Sequence, residues 1–198
     1  MPALILIVFI DLLGFGIIIP ILPFYAEHFG ASPAIVTLLM ASYSLMQFIA
    51  APIIGSMSDR YGRRRVILVS LAGTCVAYVA MAYASTLVML FAARALAGLF
   101  AGNIAAAQAY IADITTPENR ARGMGFFGAA FGLGFIFGPV FGGYLTEPVA
   151  GNINFHVAPL CAAGLSVLAA VLTVLILKES RSPGLGDEKR RGWFSPIM

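Results

Sequence analysis

The sequence predicts an all-α membrane protein of six transmembrane helices gathered into one bundle. Three observations carry that prediction. Hydrophobic residues make up 60% of the 198-residue chain and charged residues 11%, where soluble domains carry roughly 25% charge, and mean hydropathy is +0.93. The apolar residues fall in continuous blocks rather than in alternation, and of the two structures that satisfy their backbone inside lipid, blocks of this kind select helices over a barrel. The basic residues, finally, all but Arg94, fall in every second connection between blocks and in the tail.

The six spans run from about Ala3 to Phe24, Pro33 to Met57, Val66 to Ala84, Leu87 to Ala112, Gly123 to Thr146 and Val157 to Leu177. Each approaches or exceeds the roughly 20 residues that cross a hydrocarbon core of ~30 Å. The first is no signal peptide: it lacks a basic leader, carries Asp11 and runs too long. The connections 25–32, 85–86 and 147–156 hold no lysine or arginine, whereas the other connections and the tail hold 11 of the 12 basic residues. Positive charge stays in the cytoplasm, so both termini are expected there, in the plasma (inner) membrane. Residues 178–198 turn charged and rich in breakers before apolar residues return in WFSPIM. They read as the start of a cytoplasmic linker, after residues 1–177 as the bundle, toward a second bundle; the chain is expected to be a fragment.

Composition also excludes function classes. A net charge of +3 gives no footprint for nucleic acid. His28 and His156 stand alone, and Cys75 and Cys161 both lie inside apolar blocks, so no metal or other cofactor is expected. An enzyme needs convergent catalytic groups, and the intramembrane charges are few.

Asp11 lies about 12 Å below the membrane surface at ~1.5 Å per residue, where a carboxylate costs on the order of 3 kcal/mol. It is too short to snorkel from that depth. A carboxyl kept there at such cost suits the carrying of a proton. Arg94, the one basic residue inside a span, reads either as a hydrogen-bond hub between helices or as a group that biases a nearby acid or meets an anionic part of a substrate. Gly98, Ala101, Ala105 and Gln108 share its face on a continuous helix, and Tyr43 and Gln47 make a second small polar face; cavity lining and plain helix–helix hydrogen bonding both fit them. The fifth span carries eight glycines in 24 residues. Its Gly128/Gly132 and Gly134/Gly138/Gly142 spacings suit tight packing, and Gly138-Pro139, followed by Gly142 and Gly143, also suits a kink and a sliding surface.

GSMSDRYGRRR, residues 55–65, holds five charges in eleven residues. A topology anchor explains its arginines but not Asp59, nor Gly55 and Gly62 beside so short a turn. This loop resembles the signature G-x-x-x-D-R-x-G-R-[RK] between helices two and three of the major facilitator superfamily. The remainder agrees. Asp11-LLGFGIIIPILP resembles the first-helix pattern of its drug–proton antiporter branch. Arg94-ALAG-LFAG is similar to the fourth-helix arginine motif, with Ala97 where glutamine is frequent. GAAFGLGFIFGPVFGG, ending at Gly143, resembles the fifth-helix antiporter motif. YIADIT from Tyr110, followed by PENRARGMG, fits the next loop.

The resemblance covers nearly the whole chain. It implies the amino-terminal half of a twelve-helix transporter, built of two inverted three-helix repeats, of tetracycline-efflux-like character. One departure stands out: those proteins carry an aspartate before a tyrosine in helix three, and here Ala77 precedes Tyr78. The resemblance implies proton-coupled export of a small, amphiphilic compound by alternating access, with Asp11 as proton carrier and Arg94 as its modulator. Gly55, Asp59, Arg60, Gly62, Arg63 and Arg64, with Asp113 and Arg120, would form a cytoplasmic gate. Its partners would be substrate, protons, the bilayer and the carboxy-terminal half. A metabolite facilitator or symporter, and a non-transporting scaffold, are the alternatives.

Overall fold

The computed structural model describes residues 1–146 and 154–180. Eight helices are found among them: α1 (Pro2–Ile18), α2 (Ile21–His28), α3 (Pro33–Tyr61), α4 (Arg63–Ala82), α5 (Leu87–Phe100), α6 (Asn103–Ile114), α7 (Pro117–Leu145) and α8 (Val157–Ile176). Helices α1 with α2, and α5 with α6, each make one crossing, so the described residues provide six spans long and apolar enough to cross a membrane. The first crossing is interrupted at Ile19–Pro20 because proline has no N–H to donate and its ring collides with the preceding turn. The fourth is interrupted at Ala101–Gly102 without a proline. There a side chain on Gly102 would run into Ile54 of α3, its Cβ only 2.5 Å from Ile54 Cδ1. Close approach of α3 therefore requires glycine at the break, where the Ala101 N–H turns to the Gly98 carbonyl instead of continuing the helix.

Several boundaries differ from the expectation. The seventh helix starts at Pro117, not near Gly123, so Glu118, Arg120 and Arg122 lie on its first turns and not in a loop. Proline at the first helical position favours that start. Helix α4 begins at Arg63, and α3 runs on to Tyr61, which shrinks the expected loop to Gly62 alone. Gly62 has φ +99°, a left-handed conformation that glycine adopts without penalty. Gly55 is inside α3 with open space around it and does not flank a turn. Helix α7 continues through Pro139 without interruption, so the expected kink is not a break in this helix. Of the linker, only 178–180 fall within the described residues; they follow α8 without regular structure.

Helix α1 packs on α7 and α8, α4 packs on α8 and α5, and α3 packs on α5. The two largest apolar clusters sit toward opposite ends. One, toward the arginine-rich end, includes Leu4, Ile7, Val66, Ile111 and Phe127. The other, toward the opposite end, includes Leu22, Leu39, Met81 and Leu90. That opposite end is tied by Tyr25, which donates to the carbonyls of Met81 (3.1 Å) and Ala84 (2.9 Å), and whose ring stacks on Phe155 at 4.7 Å. His156 Nδ1 meets the Ala82 carbonyl there as well.

The α1–α7 seam is the tightest contact. Hydrocarbon supplies no hydrophobic drive between helices, so association depends on close packing of small residues. Gly134, Gly138 and Gly142 of α7 meet Leu12, Gly16 and Ile17 of α1; a Cβ on Gly138 would sit 2.5 Å from Gly16 Cα. Gly128, Gly132 and Gly143 have nothing within 4 Å, so only one of the two predicted glycine rows is a packing surface in this bundle. Gly138→Ala therefore lowers stability in detergent by roughly 1–3 kcal/mol through overpacking, while Gly143→Ala stays within about 0.5 kcal/mol. Thermal unfolding of the two variants side by side checks this; equal melting would contradict the seam.

Candidate functional site

Between the two apolar clusters lies a cavity of about 300 Å³, lined by Asp11, Phe15, Tyr43, Gln47, Arg94 and Asn103 among others. Four of the residues singled out in the sequence, Asp11, Arg94, Tyr43 and Gln47, meet here. Helix α1 supplies Asp11 and Phe15, α3 supplies Tyr43 and Gln47, α5 supplies Arg94, and α6 supplies Asn103.

Asn103 Nδ2 donates to Asp11 Oδ2 at 2.7 Å. Asp11 Oδ1 is buried without a partner. The carboxyl is therefore held by one oxygen, and the other remains available for a proton or a donor group. Arg94 is almost fully buried, and its Nε and Nη1 find no acceptor. Aromatic faces flank it instead: its guanidinium carbon lies 4.3 Å from the Tyr43 ring centroid and 5.3 Å from that of Phe15. Cation–π contact is worth about 2 kcal/mol when desolvated, which offsets part of the cost of burying the charge while leaving the N–H groups of Nε and Nη1 for an anionic or accepting ligand. Among the described residues, neither Asp11 nor Arg94 forms an ion pair; the pairs found lie elsewhere. The layer thus holds one carboxylate and one guanidinium, each with hydrogen-bonding capacity unspent.

Gln108 is not brought in. It is exposed on α6 and does not line the cavity. The expected face assumed one continuous helix from Arg94 to Gln108, and the break at Ala101–Gly102 rotates α6 out of that register. Asn103, which sequence reasoning missed, takes the inward place. Its signal was available: an amide beside a glycine in mid-span, where a polar group needs a partner. Thr74 and Tyr78 of α4 also line the cavity, whereas Ala77 is fully buried against neighbouring helices.

The second cluster lies at the arginine-rich end and centres on Arg63. This side chain is 7% exposed and pairs with Asp59 at 2.6 Å and Asp113 at 3.0 Å; it also donates to Ser58 Oγ at 3.2 Å. One guanidinium thereby joins α3, α4 and α6, using the fork geometry that arginine offers and lysine does not. Arg64 reaches across to α8, donating to the carbonyls of Thr173 (3.3 Å) and Val174 (2.6 Å). Glu179 closes over the joint: its Oε1 accepts the Arg64 N–H at 3.3 Å, and a Cβ on Gly62 would lie 2.6 Å from its Oε2. Gly62 is thus required twice, by its backbone angle and by this approach. Ser180 donates to Asp113 at 3.5 Å and Tyr110 to the Lys178 carbonyl at 2.8 Å. Arg60 is exposed and lies over the Tyr61 ring, and exposed Arg120 donates to the Ala112 carbonyl at 3.3 Å. Neither touches the Arg63 node in this structure, and Gly55 has no close neighbour.

A family model, the Major Facilitator Superfamily, matches residues 4–198. The class C tetracycline resistance protein of Escherichia coli is 42% identical over 174 residues, covering 86% of this chain and 43% of that protein. Multidrug resistance protein 1 of Bacillus subtilis is 36% identical, covering 88% of this chain and 44% of its own length. The chain spans about half the length of the curated relatives it matches. Among solved structures, the human organic anion transporter TETRAN superposes with a TM-score of 0.80 at 28% identity, over 91% of this chain and 47% of that one. An inward-facing bacterial homologue of the lysosomal transporter Spinster superposes at 0.79 with 19% identity, over 97% of this chain and 46% of that one, which supports the fold alone.

The Arg63 node predicts a stability difference. Arg63→Leu removes the Arg63 guanidinium from Asp59, Asp113 and Ser58 and costs about 2 kcal/mol, less than a fully buried pair because both aspartates are partly exposed. Arg60→Gln, at an exposed site, changes stability by less than about 0.5 kcal/mol. Chemical denaturation in mixed micelles measures both, and equal effects would remove Arg63 from its central place.

Proposed function

The chain belongs to the major facilitator superfamily, and from that premise we propose that it is the amino-terminal bundle of a proton-coupled transporter that exports a small, amphiphilic compound by alternating access. The observation that carries this reading is the Asp11 carboxyl, with one oxygen held by Asn103 and the other unpartnered beside a cavity at mid-bundle. Asp11 takes up and releases the proton. Asn103 fixes its orientation, and Arg94 disfavours the protonated form when the two approach. Tyr43 and Gln47 help to line the substrate path. The unpartnered Nε and Nη1 of Arg94 favour a substrate that carries an accepting or anionic group on its apolar frame. Among the described residues the cavity lining holds no second carboxylate beside Asp11. A helical membrane protein of transporter family with these groups is not proposed as an enzyme.

The Arg63 node, with Asp59, Asp113, Arg64 and the Gly62 joint, is the cytoplasmic gate, and Arg60, Gly55 and Arg120 are peripheral to it. Gly134, Gly138, Pro139 and Gly142 make the fifth-span surface that moves against α1 as the transporter changes state, and Gly143, which has no close neighbour in this bundle, lies outside that surface. A carboxy-terminal bundle completes the cavity, since alternating access needs two bundles that rock about a site between them. Positive charge at the α3–α4 and α6–α7 joints supports a cytoplasmic side for that end and for both termini.

Two measurements test the proposal. In proteoliposomes holding both halves, Asp11→Asn abolishes transport driven by an imposed pH gradient, a loss of at least about tenfold, with melting unchanged; full gradient-driven transport by this variant would end the assignment. In cells, a single cysteine at Ser85 labels with an impermeant maleimide from outside and one at Arg60 only after permeabilisation. The reverse pattern would invert the orientation.

A further inference from the structure

Helix α4 has two working faces. Thr74 and Tyr78 look into the polar cavity, while Leu71, Ala72 and Cys75 form one wall of an apolar groove of about 410 Å³ whose other wall is α8, from Ser166 to Leu175. Helix α8 contributes nothing to the polar cavity. The groove opens outward: Val167, Val171 and Val174 stand exposed along it, and Leu175 is 74% exposed at its end.

Its length and position are specific. Helix α8 ends at Ile176 on the arginine-rich side, so the groove starts at that end and reaches down to Ser166 and Cys75. Nine steps from 166 to 175 at ~1.5 Å each span about 14 Å, close to one leaflet of a ~30 Å hydrocarbon core. Its mouth is cationic. Arg65, Leu68, Ala72 and Cys75 follow one stripe of α4 at spacings of three, four and three, which sets exposed Arg65 above the groove wall. Arg64 is fixed beside it by its bonds to the carbonyls of Thr173 and Val174, and Val174 itself lines the groove. Among the described residues neither guanidinium forms an ion pair. Glu179, the nearby acid, bonds the Arg64 backbone N–H and not its side chain.

From this geometry we propose that the α4–α8 groove is a binding site for an anionic phospholipid of the leaflet at the arginine-rich end. One acyl chain lies along Ala72, Val171 and Val174, and the headgroup phosphate meets Arg65, with the fixed Arg64 charge beneath it. An apolar slot one leaflet deep, capped by two arginines that form no ion pair among the described residues, matches a lipid at both ends. A basic patch near the surface adds attraction for an anionic headgroup that a zwitterionic lipid lacks. The proposal rests on the functional reading in one respect, that the second bundle meets the polar cavity and leaves the α4–α8 side to the bilayer. Because the test reads binding and not transport, the two can fail separately.

The test is native mass spectrometry of the full transporter released from micelles doped with phosphatidylglycerol or with phosphatidylcholine of identical acyl chains. The expected result is retention of one phosphatidylglycerol, favoured about five-fold per arginine engaged, unaffected by added glycerol 3-phosphate. Arg65→Gln removes most of that preference without changing phosphatidylcholine retention, and Ala72→Phe, which fills the slot, lowers both. Equal retention of the two lipids, no effect of Arg65→Gln, or displacement by glycerol 3-phosphate would each overturn the proposal. If Ala72→Phe does not fold, Val171→Trp serves instead. Its fluorescence should be quenched more by chain-brominated phosphatidylglycerol than by chain-brominated phosphatidylcholine, and equal quenching or none refutes the site.

Discussion

The 2.7 Å bond from Asn103 to Asp11 is the interaction around which this bundle is arranged. A carboxyl in the middle of an apolar bundle needs a partner, since in hydrocarbon each unsatisfied polar group costs several kcal/mol. The chain meets that constraint only halfway. It breaks its fourth crossing at Ala101–Gly102, which brings the start of α6 and its Asn103 amide to α1. It then leaves Oδ1 of Asp11, and Nε and Nη1 of Arg94, without partners. A bundle selected only for stability would satisfy or delete such groups. Retaining them is the pattern expected of a site whose partners come and go.

The remaining structure holds this layer in place without filling it. Two apolar clusters bracket it along the bundle. On one side the α1–α7 glycine seam brings backbone against backbone and fixes the helix that carries Asp11. On the other, Gly98 lets α5 come against the Tyr43 carbonyl of α3, which sets the Tyr43 ring beneath Arg94. At the arginine-rich end, Arg63 gathers α3, α4 and α6, while Arg64 and Glu179 tie the end of α8 to the start of α4. Such charge-assisted contacts lie near water and can exchange partners as the helices shift, whereas the glycine seam depends on shape and is indifferent to charge.

Much of this was legible in the sequence because it follows from composition and one-dimensional spacing. Long apolar blocks gave six crossings, and the loop around Asp59 and Arg63 matched a specific pattern. Asp11 and Arg94 stood out because charge inside an apolar block is rare. What could not be read depended on contacts between distant segments. The break at Gly102 lies where Ile54 of another helix leaves no room for a side chain, so its effects on Asn103 and Gln108 were hidden. Which glycine row packs is decided by where α1 lies, and Gly128 and Gly132 look the same as Gly134 and Gly138 by spacing. The early start of α7 was masked because Glu118, Arg120 and Arg122 look like loop to a hydropathy argument, although helix propensity and Pro117 both allow a helix there.

The central claim is that Asp11 is a working proton site held by Asn103. Infrared difference spectroscopy of the reconstituted protein across an acidification step reads this without a substrate. The account predicts a carboxylic acid band that appears on acidification, vanishes in Asp11→Asn, and shifts in Asn103→Ala because the acceptor loses its amide partner. A band pattern unchanged by Asp11→Asn would contradict it.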